Sequence, residues 1–431
     1  MAEDSLTKAL AAATCVLLGD STPALAADEL DRWSFDSALM YYGESDDRVQ
    51  DTSATVAAKR DFGDERALGL TLTADTLTGA SPSGAIALDR PQTFTSPSGR
   101  AVYTTKAGDV PLDDTFLDTR FALNAGWTQP LSRLYTVSAG LGFSTEYDYT
   151  HLGANLGLSR DFNKRNTTVS AGLAWSQDDI DPVGGAPTPL TQMADVGNDA
   201  NKRGSDNKDV LDLLLGFTQV LNRTTVLRIN YSYSKSSGYL NDPYKLLSLV
   251  DPLTGDTVSR SPIGSGPTGI YLYENRPDAR TKQSVYAEMK HAFGNPVMSL
   301  SYRFMTDDWE IDSHTLEARL RWPIGETSFI EPQLRYYTQS EAEFYRSSLV
   351  ASQPLPKFAS ADFRLGNFDA TTVGLKFGHR LASGNEWNVR VEYYQQSGDV
   401  PSGQLIGNQH QREQYPDLSA VIAQFGYTFH L

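Results

Sequence analysis

One cysteine occurs in 431 residues, Cys15, close to the N-terminus. A lone thiol closes no internal disulfide, and no CxxC or CxxCH pair exists to hold zinc, a redox dithiol or haem. Long apolar runs are missing too. Beyond the N-terminus nothing approaches the ~18 consecutive apolar residues of a membrane-spanning helix, which excludes a helical membrane protein. Positive charge is in deficit, with 37 Lys and Arg against 53 Asp and Glu. The resulting formal charge of −16 argues against nucleic acid as a partner, because phosphates need a cationic surface. Histidines are few and scattered (His151, His291, His379, His410, His430) and suggest no ligand set; no phosphate-binding glycine loop occurs. What remains is rich in residues that suit strands and turns, with 34 Gly, 21 Tyr and many Ser, Thr and Asn.

Residues Leu10–Leu18 form a short apolar run after Lys8, followed by the small-residue pattern Ala24-Leu25-Ala26. This reads as a secretory signal peptide over residues 1–26, although Glu3 and Asp4 are unusual in its leading segment. The mature chain then starts near Ala27 and carries no cysteine, which suits an oxidising compartment. A lipoprotein reading of Cys15 is weaker, because Ala12-Ala13-Thr14 makes a poor lipobox.

From Trp33 onward one theme repeats: apolar and polar residues alternate over ten to fourteen positions. Leu316, Ala318, Leu320, Trp322 and Ile324 alternate with Glu317, Arg319 and Arg321; Trp387, Val389, Val391 and Tyr393 alternate with Asn388, Arg390, Glu392 and Tyr394. A period of two means a strand with one apolar and one wet face. The pattern predicts sixteen strands, at 32–42, 50–61, 66–77, 117–128, 134–147, 151–162, 166–178, 208–221, 224–238, 281–293, 297–308, 313–322, 327–340, 367–381, 385–397 and 418–431. Connections after even-numbered strands are turn-like, such as Asn222-Arg223 and Gly294-Asn295-Pro296. After odd-numbered strands several are long and rich in Pro, Gly, Asp and Ser: 78–116, 179–207, 239–280, 341–366 and 398–417. Aromatic residues gather at strand ends, with Tyr41, Trp175 and Tyr393 near the long loops and Trp33, Trp322, Phe329 and Trp387 near the short turns. A soluble sandwich gives no reason for one-sided loops or for two aromatic belts. The reading is an all-β transmembrane antiparallel barrel of about sixteen strands, with short periplasmic turns and long extracellular loops. It occupies residues 27–431 and lies in the lipid of the cell outer membrane.

The chain ends on such an alternation, with Phe425, Tyr427, Phe429 and Leu431 against Gln424, Gly426, Thr428 and His430. Gln424, Gly426, Phe429 and Leu431 resemble the C-terminal signal of bacterial outer-membrane barrels, so the barrel-assembly machinery is an expected partner. An ordinary edge strand is the plainer reading. As a closing strand it should turn Phe425, Tyr427, Phe429 and Leu431 to lipid and pair with 32–42, since a spanning barrel leaves no open edge.

The wet faces carry Lys59, Arg228, Lys290, Arg303, Arg319, Arg321, Arg335, Lys376, Arg380 and Arg390 against Asp36, Glu288, Glu317, Glu331 and Glu392. Sixteen strands are too wide for side chains to fill, so the interior holds water, loops or a plug. Arg303, Glu317, Arg319, Arg321, Glu331, Arg335, Arg390 and Glu392 are the expected pore lining, mixed but tipped positive. This suits a passive porin-like channel for small anionic or zwitterionic solutes, narrowed by loop 78–116 or 239–280. A wall of ion pairs that only holds the barrel open explains the same residues equally well.

Asp307-Asp308-Trp309-Glu310-Ile311-Asp312-Ser313-His314 packs four acids into one hairpin, and Asp307, Asp308 and Asp312 are weak candidates for loop-bound Ca²⁺. A solvated acidic hairpin is the bland alternative, and no other cofactor is expected. Asp251 to Asp256 reads as a turn lacking the spaced ligands of a calcium loop. Neighbouring Ser313 and His314 point to opposite strand faces and cannot share a proton without a bulge, so no catalytic set is assigned and an enzyme is not expected.

Several stretches resemble the domain of unknown function 3570 family of bacterial outer-membrane barrels. They are Glu146-Tyr-Asp-Tyr149, Arg160-Asp-Phe-Asn163 with Asn166-Thr-Thr168, Ser237-Gly-Tyr-Leu-Asn-Asp-Pro-Tyr-Lys245 and Glu274-Asn-Arg-Pro-Asp278. Ser301-Tyr-Arg303, Asp307-Asp308-Trp309, Ser313-His314, Arg335-Tyr-Tyr-Thr-Gln-Ser340 and Ala359-Ser-Ala-Asp-Phe-Arg364 complete the set, which runs from about Trp33 to the terminus. The resemblance implies a link to extracytoplasmic redox chemistry, with a flavin-attaching transferase, a thioredoxin-like protein and a small lipoprotein as neighbours. It implies a structural or docking barrel for such periplasmic partners as the second reading, and it supplies no catalytic residues.

Overall fold

A computed structural model describes residues 33–45, 48–95, 102–193, 201–258 and 271–431. The expected signal peptide, 1–26, lies outside them. Among the described residues sixteen strands close into one antiparallel barrel. They are β1 (Trp33–Glu44), β2 (Gln50–Asp61), β3 (Ala67–Pro82), β4 (Leu112–Pro130), β5 (Tyr135–Thr145), β6 (Tyr149–Phe162), β7 (Thr167–Ile180) and β8 (Asp206–Asn222). Then follow β9 (Thr225–Gly238), β10 (Ala279–Ala292), β11 (Val297–Asp307), β12 (Asp312–Ile324), β13 (Ser328–Gln339), β14 (Phe368–Arg380), β15 (Glu386–Gly398) and β16 (Leu418–His430). Each strand pairs with its sequence neighbours, and β1 pairs with β16 from Ser34↔His430 to Glu44↔Ala420. The Trp33 N–H donates to the Leu431 carbonyl at 3.1 Å, and the Leu431 N–H returns to the Trp33 carbonyl at 2.8 Å. Closure satisfies the backbone groups that hydrocarbon cannot.

The outward register carries the apolar set. Leu39, Leu72, Leu123, Leu156, Leu173, Leu316, Leu334, Val391 and Phe425 are all exposed on it. A continuous band of exposed aliphatic side chains around a closed sheet is a lipid-facing surface, so the barrel spans the outer membrane. Phe35 of β1 stacks on Phe429 of β16, with ring centroids 4.9 Å apart, on that outer face. Phe329 departs from the expected belt. It shares the inward register of Glu331 and Arg335, is buried, and lies under the Arg321 guanidinium, 3.6 Å from the ring centroid. Its ring occupies the space a side chain at Gly378 would take, since a Cβ there would come within 2.2 Å of it.

Strands β3 and β4 outrun the alternating segments, pairing on as far as Pro82↔Leu112 past a register shift at Gly79/Ser81. Above the lipid the two faces no longer meet different solvents, so the period-two signal stops while the hydrogen-bonded ladder continues.

The well-packed apolar cores of this molecule lie in the long loops. The described parts of 83–111, 181–205 and 239–278, with 340–367 and 399–417, gather at the outer mouth. They add short strands of their own: Gln92–Thr95 with Val102–Thr105, and Leu246–Val250 between Tyr271–Tyr273 and Leu349–Val350. Phe94, Leu247, Leu249, Val250, Ala359 and Leu365 are fully buried among them. A 16-strand barrel leaves its centre to water, so only the cap offers a place to bury apolar surface against apolar surface.

Candidate functional site

Inside the barrel the wall has two unlike halves. On β4 to β7 the inward positions at mid-height are Asn124, Ser138, Gly140, Asn155, Gly157, Ser170 and Gly172, small and uncharged. Gly140 leaves room for the Asn155 amide opposite, which would sit 2.6 Å from a Cβ there. On β9 to β15 the inward register carries Arg228, Glu288, Lys290, Arg303, Glu317, Arg319, Arg321, Glu331, Arg335, Lys376, Arg390 and Glu392. The eight expected lining residues therefore stand together on adjacent strands. Some are paired: Arg319 with Glu317 at 2.5 Å, Arg390 with Glu392 at 3.3 Å, and Arg228 with Glu288 at 3.9 Å. Arg303 lies over the Tyr286 ring at 5.5 Å. Cations outnumber carboxylates along this stretch, so the positive charge of the inner wall is concentrated on one side of the barrel.

A cap of packed loops stands at the outer mouth, anchored by inward-facing side chains of the wall. Gln339 of β13 donates to the carbonyls of Arg364 and Gly366 at 3.0 and 2.8 Å. Gln396 of β15 donates to the Tyr415 hydroxyl at 3.1 Å, and that hydroxyl donates to the Phe363 carbonyl at 3.1 Å. Phe363 sits between the Arg48 guanidinium and the Lys245 ammonium, 6.0 and 5.9 Å from its ring centroid. Loops 78–116 and 239–280, expected to narrow the lumen, do not pack alone at this mouth. Loops 340–367 and 399–417 pack with them in separate small apolar clusters: Leu349, Ala359 and Ala361 join Leu247 and Leu249, and Ile406 joins Ile86 and Val250.

Behind Phe363 lies a buried charge network of three acids and three bases. Arg276 bonds Glu274 at 2.6 Å and Asp362 at 2.7 Å; Arg364 holds Asp362 and reaches Asp242 at 2.6 Å. Lys245 donates to the Pro82 carbonyl at 2.5 Å and Ser360 to Glu274 at 2.5 Å. These residues come from Ser237–Lys245, Glu274–Asp278 and Ala359–Arg364, three of the stretches that carry the family resemblance. The signal for a role was present in the sequence, but not the juxtaposition, since 117 residues separate Lys245 from Asp362. Burial alone would raise the Asp362 carboxyl, yet Arg364, Arg276 and Lys245 hold it well below its usual 3.8. Asp242 is likewise depressed, against burial, by Arg364 and Lys245. Glu274 is pushed up by burial, with Arg276 opposing. The signs set the acid response. Depressed carboxyls stabilise the fold fully above the unfolded value and lose that contribution as pH falls through the folded one. The raised Glu274 works the other way, its penalty vanishing on protonation. Hydrogen-exchange protection of residues 239–250 and 359–366, corrected for intrinsic rates, is therefore expected to be no lower at pH 5 than at pH 7 and to fall only below 3.8. Loss of protection already at pH 5 would contradict this account.

The hairpin acids expected as weak Ca²⁺ ligands are engaged in other bonds. Asp307 accepts from Arg280 at 2.7 Å and from the Trp309 and Ile311 amides at 2.9 and 3.0 Å; Asp308 accepts from the Thr281 amide at 2.8 Å. Their lone pairs close the turn, and Asp312 begins the next strand, so the three do not converge on one point. Ser313 is buried inward, while His314 meets the Tyr302 hydroxyl at 2.8 Å on the outer face. Carboxylates do converge elsewhere, at Asp118, Glu146 and Asp148, whose oxygens lie within 4.8 Å of one another. Burial, then hydrogen bonding to Asp118 and its charge, raises Glu146 to about 8.

These features define a membrane-spanning β-barrel with an asymmetrically charged inner wall and a cap of packed loops at its outer mouth. The profile of the family described as Protein of unknown function (DUF3570) matches residues 7–429, and the chain belongs to that family. No curated protein matches the chain. Among solved structures it is similar to the CymD monoaromatic hydrocarbon channel (9% identity, 93% of this chain and 89% of that one, TM-score 0.40). It is similar too to a bacterial polysaccharide outer membrane secretin (9%, 94% and 100%, TM-score 0.43). A third is CdiB from Acinetobacter baumannii (9%, 93% and 60%, TM-score 0.44). No argument rests on likenesses this distant.

Proposed function

We propose that the barrel is a porin-like channel for small anionic or zwitterionic solutes, gated at the outer mouth by its loop cap. The observation that supports it is the cation-rich stretch of inward residues on β9 to β15, centred on Arg303, Arg319, Arg321 and Arg335. Such a track lowers the energy of an anion inside the barrel and raises that of a cation. In planar bilayers the protein is expected to conduct with a reversal potential on the anion side. Arg303→Glu combined with Arg335→Glu moves four unit charges and is expected to shift that potential to the cation side. Cation preference of the unaltered protein, or no conductance even after the cap is loosened, would sink this reading.

The packed cap favours one other reading, a structural or docking barrel whose periplasmic side receives a lipoprotein or an extracytoplasmic redox partner. Silence in bilayers together with co-purification of a flavoprotein or cytochrome would favour it.

A further inference from the structure

We propose that Asp118, Glu146 and Asp148 bind a hard divalent cation, Ca²⁺ by its chemistry, which ties the outer rim of the barrel to loop 239–278. Asp118 projects inward from the outer part of β4; Glu146 and Asp148 lie in the tight turn between β5 and β6. Their oxygens approach within 4.8 Å of one another. Asp118 is only 8% exposed, and its Oδ1 is buried with no hydrogen-bond partner. Apart from a proton shared with Glu146, no donor of the described residues serves the Asp118 carboxylate at this point. The Tyr244 hydroxyl donates to Asp148, bringing the long loop onto the site. Among the described residues, the cation paired with this cluster is Arg120, held by Asp75 and 3.9 Å from Glu146. Four carboxylates against one guanidinium leave a buried negative excess, and like charges this close do not all ionise without a counter-ion. An oxygen-only donor set without His or Cys suits Ca²⁺, which accepts variable geometry and completes its shell with water; it does not suit zinc.

This proposal stands whether or not solutes cross the barrel. The test uses the full-length mature chain refolded into detergent free of lipopolysaccharide, whose phosphates would themselves take up cations. Tb³⁺ is titrated while tyrosine-sensitised luminescence is read, and Ca²⁺ is then added as competitor. One saturable site, displaced by Ca²⁺ and weakened more than about tenfold by Asp118→Asn with Glu146→Gln, is the expected result. Heat-modifiability on gels shows that the variant barrel is folded; should it not be, Glu146→Gln alone replaces it, with the same weakening expected. Absence of a saturable site would overturn the proposal and leave a proton shared between Asp118 and Glu146 as the balancing charge. A saturable site unaffected by the substitutions would overturn it too, by locating the cation elsewhere.

Discussion

A chain carrying Phe429→Asp and lacking Leu431 is expected to fall by about tenfold or more in the outer membrane, while the same chain purified from inclusion bodies still refolds in detergent. The contrast follows from magnitudes. Phe429 lies at the turn side of the lipid face, stacked on Phe35, and a charge at that depth costs about 0–1 kcal/mol. Loss of the two Trp33–Leu431 backbone bonds adds roughly 1 kcal/mol each. A barrel closed by sixteen continuous pairings survives a deficit of that size. A large drop in membrane level would therefore report failed recognition by the assembly machinery. Fractionation with immunoblotting against the refolding yield separates the two effects. Normal membrane levels would refute the signal role of Gln424, Gly426, Phe429 and Leu431; failed refolding would show that closure itself was broken.

Arg276→Ala is expected to open the cap. The side chain is 5% exposed and bridges Glu274 and Asp362, both buried. Removing one partner from a buried ion pair costs roughly 3–5 kcal/mol, because the carboxylates left behind remain charged and unsolvated. A loop assembly can relieve that cost by lifting away from the barrel, whereas the wall below keeps its pairing. The variant should keep its heat-modifiable barrel, lose protection of residues 239–250 against protease and hydrogen exchange, and pass more current than the unaltered protein. A companion with Glu274→Leu and Arg276→Leu is expected to recover much of the lost protection, since apolar replacement of a whole pair is often near neutral. Unchanged protection in Arg276→Ala would show that the apolar cores, and not the charges, hold the cap.

The barrel was legible in the sequence because each strand reports its environment residue by residue. Leu316 to Trp322 alternates with Glu317 to Arg321 since one face meets lipid and the other water, and that contrast needs no knowledge of the partner strand. The closing strand was legible for the same reason, and its pairing with β1 followed from the rule against open edges. Phe329 shows the limit of the method. Its aromatic identity suggested the rim, but its parity with Glu331 turned it inward beneath Arg321.

The loops were opaque. Lys245, Glu274 and Asp362 are far apart in the chain and lie in segments without periodicity, so nothing local says that they share a buried site. Asp307, Asp308 and Asp312 showed the opposite failure: adjacent in sequence, they are parted by the hydrogen bonds of a turn, while Asp118, Glu146 and Asp148 converge from two elements. By itself, then, the sequence determined the strand number, the lipid-facing and inward sets, and the side on which the loops stand, because a period of two against two solvents is local information. Only the tertiary structure decided how the loops pack on one another and where carboxylates meet, because contacts between segments far apart in the chain leave no local pattern.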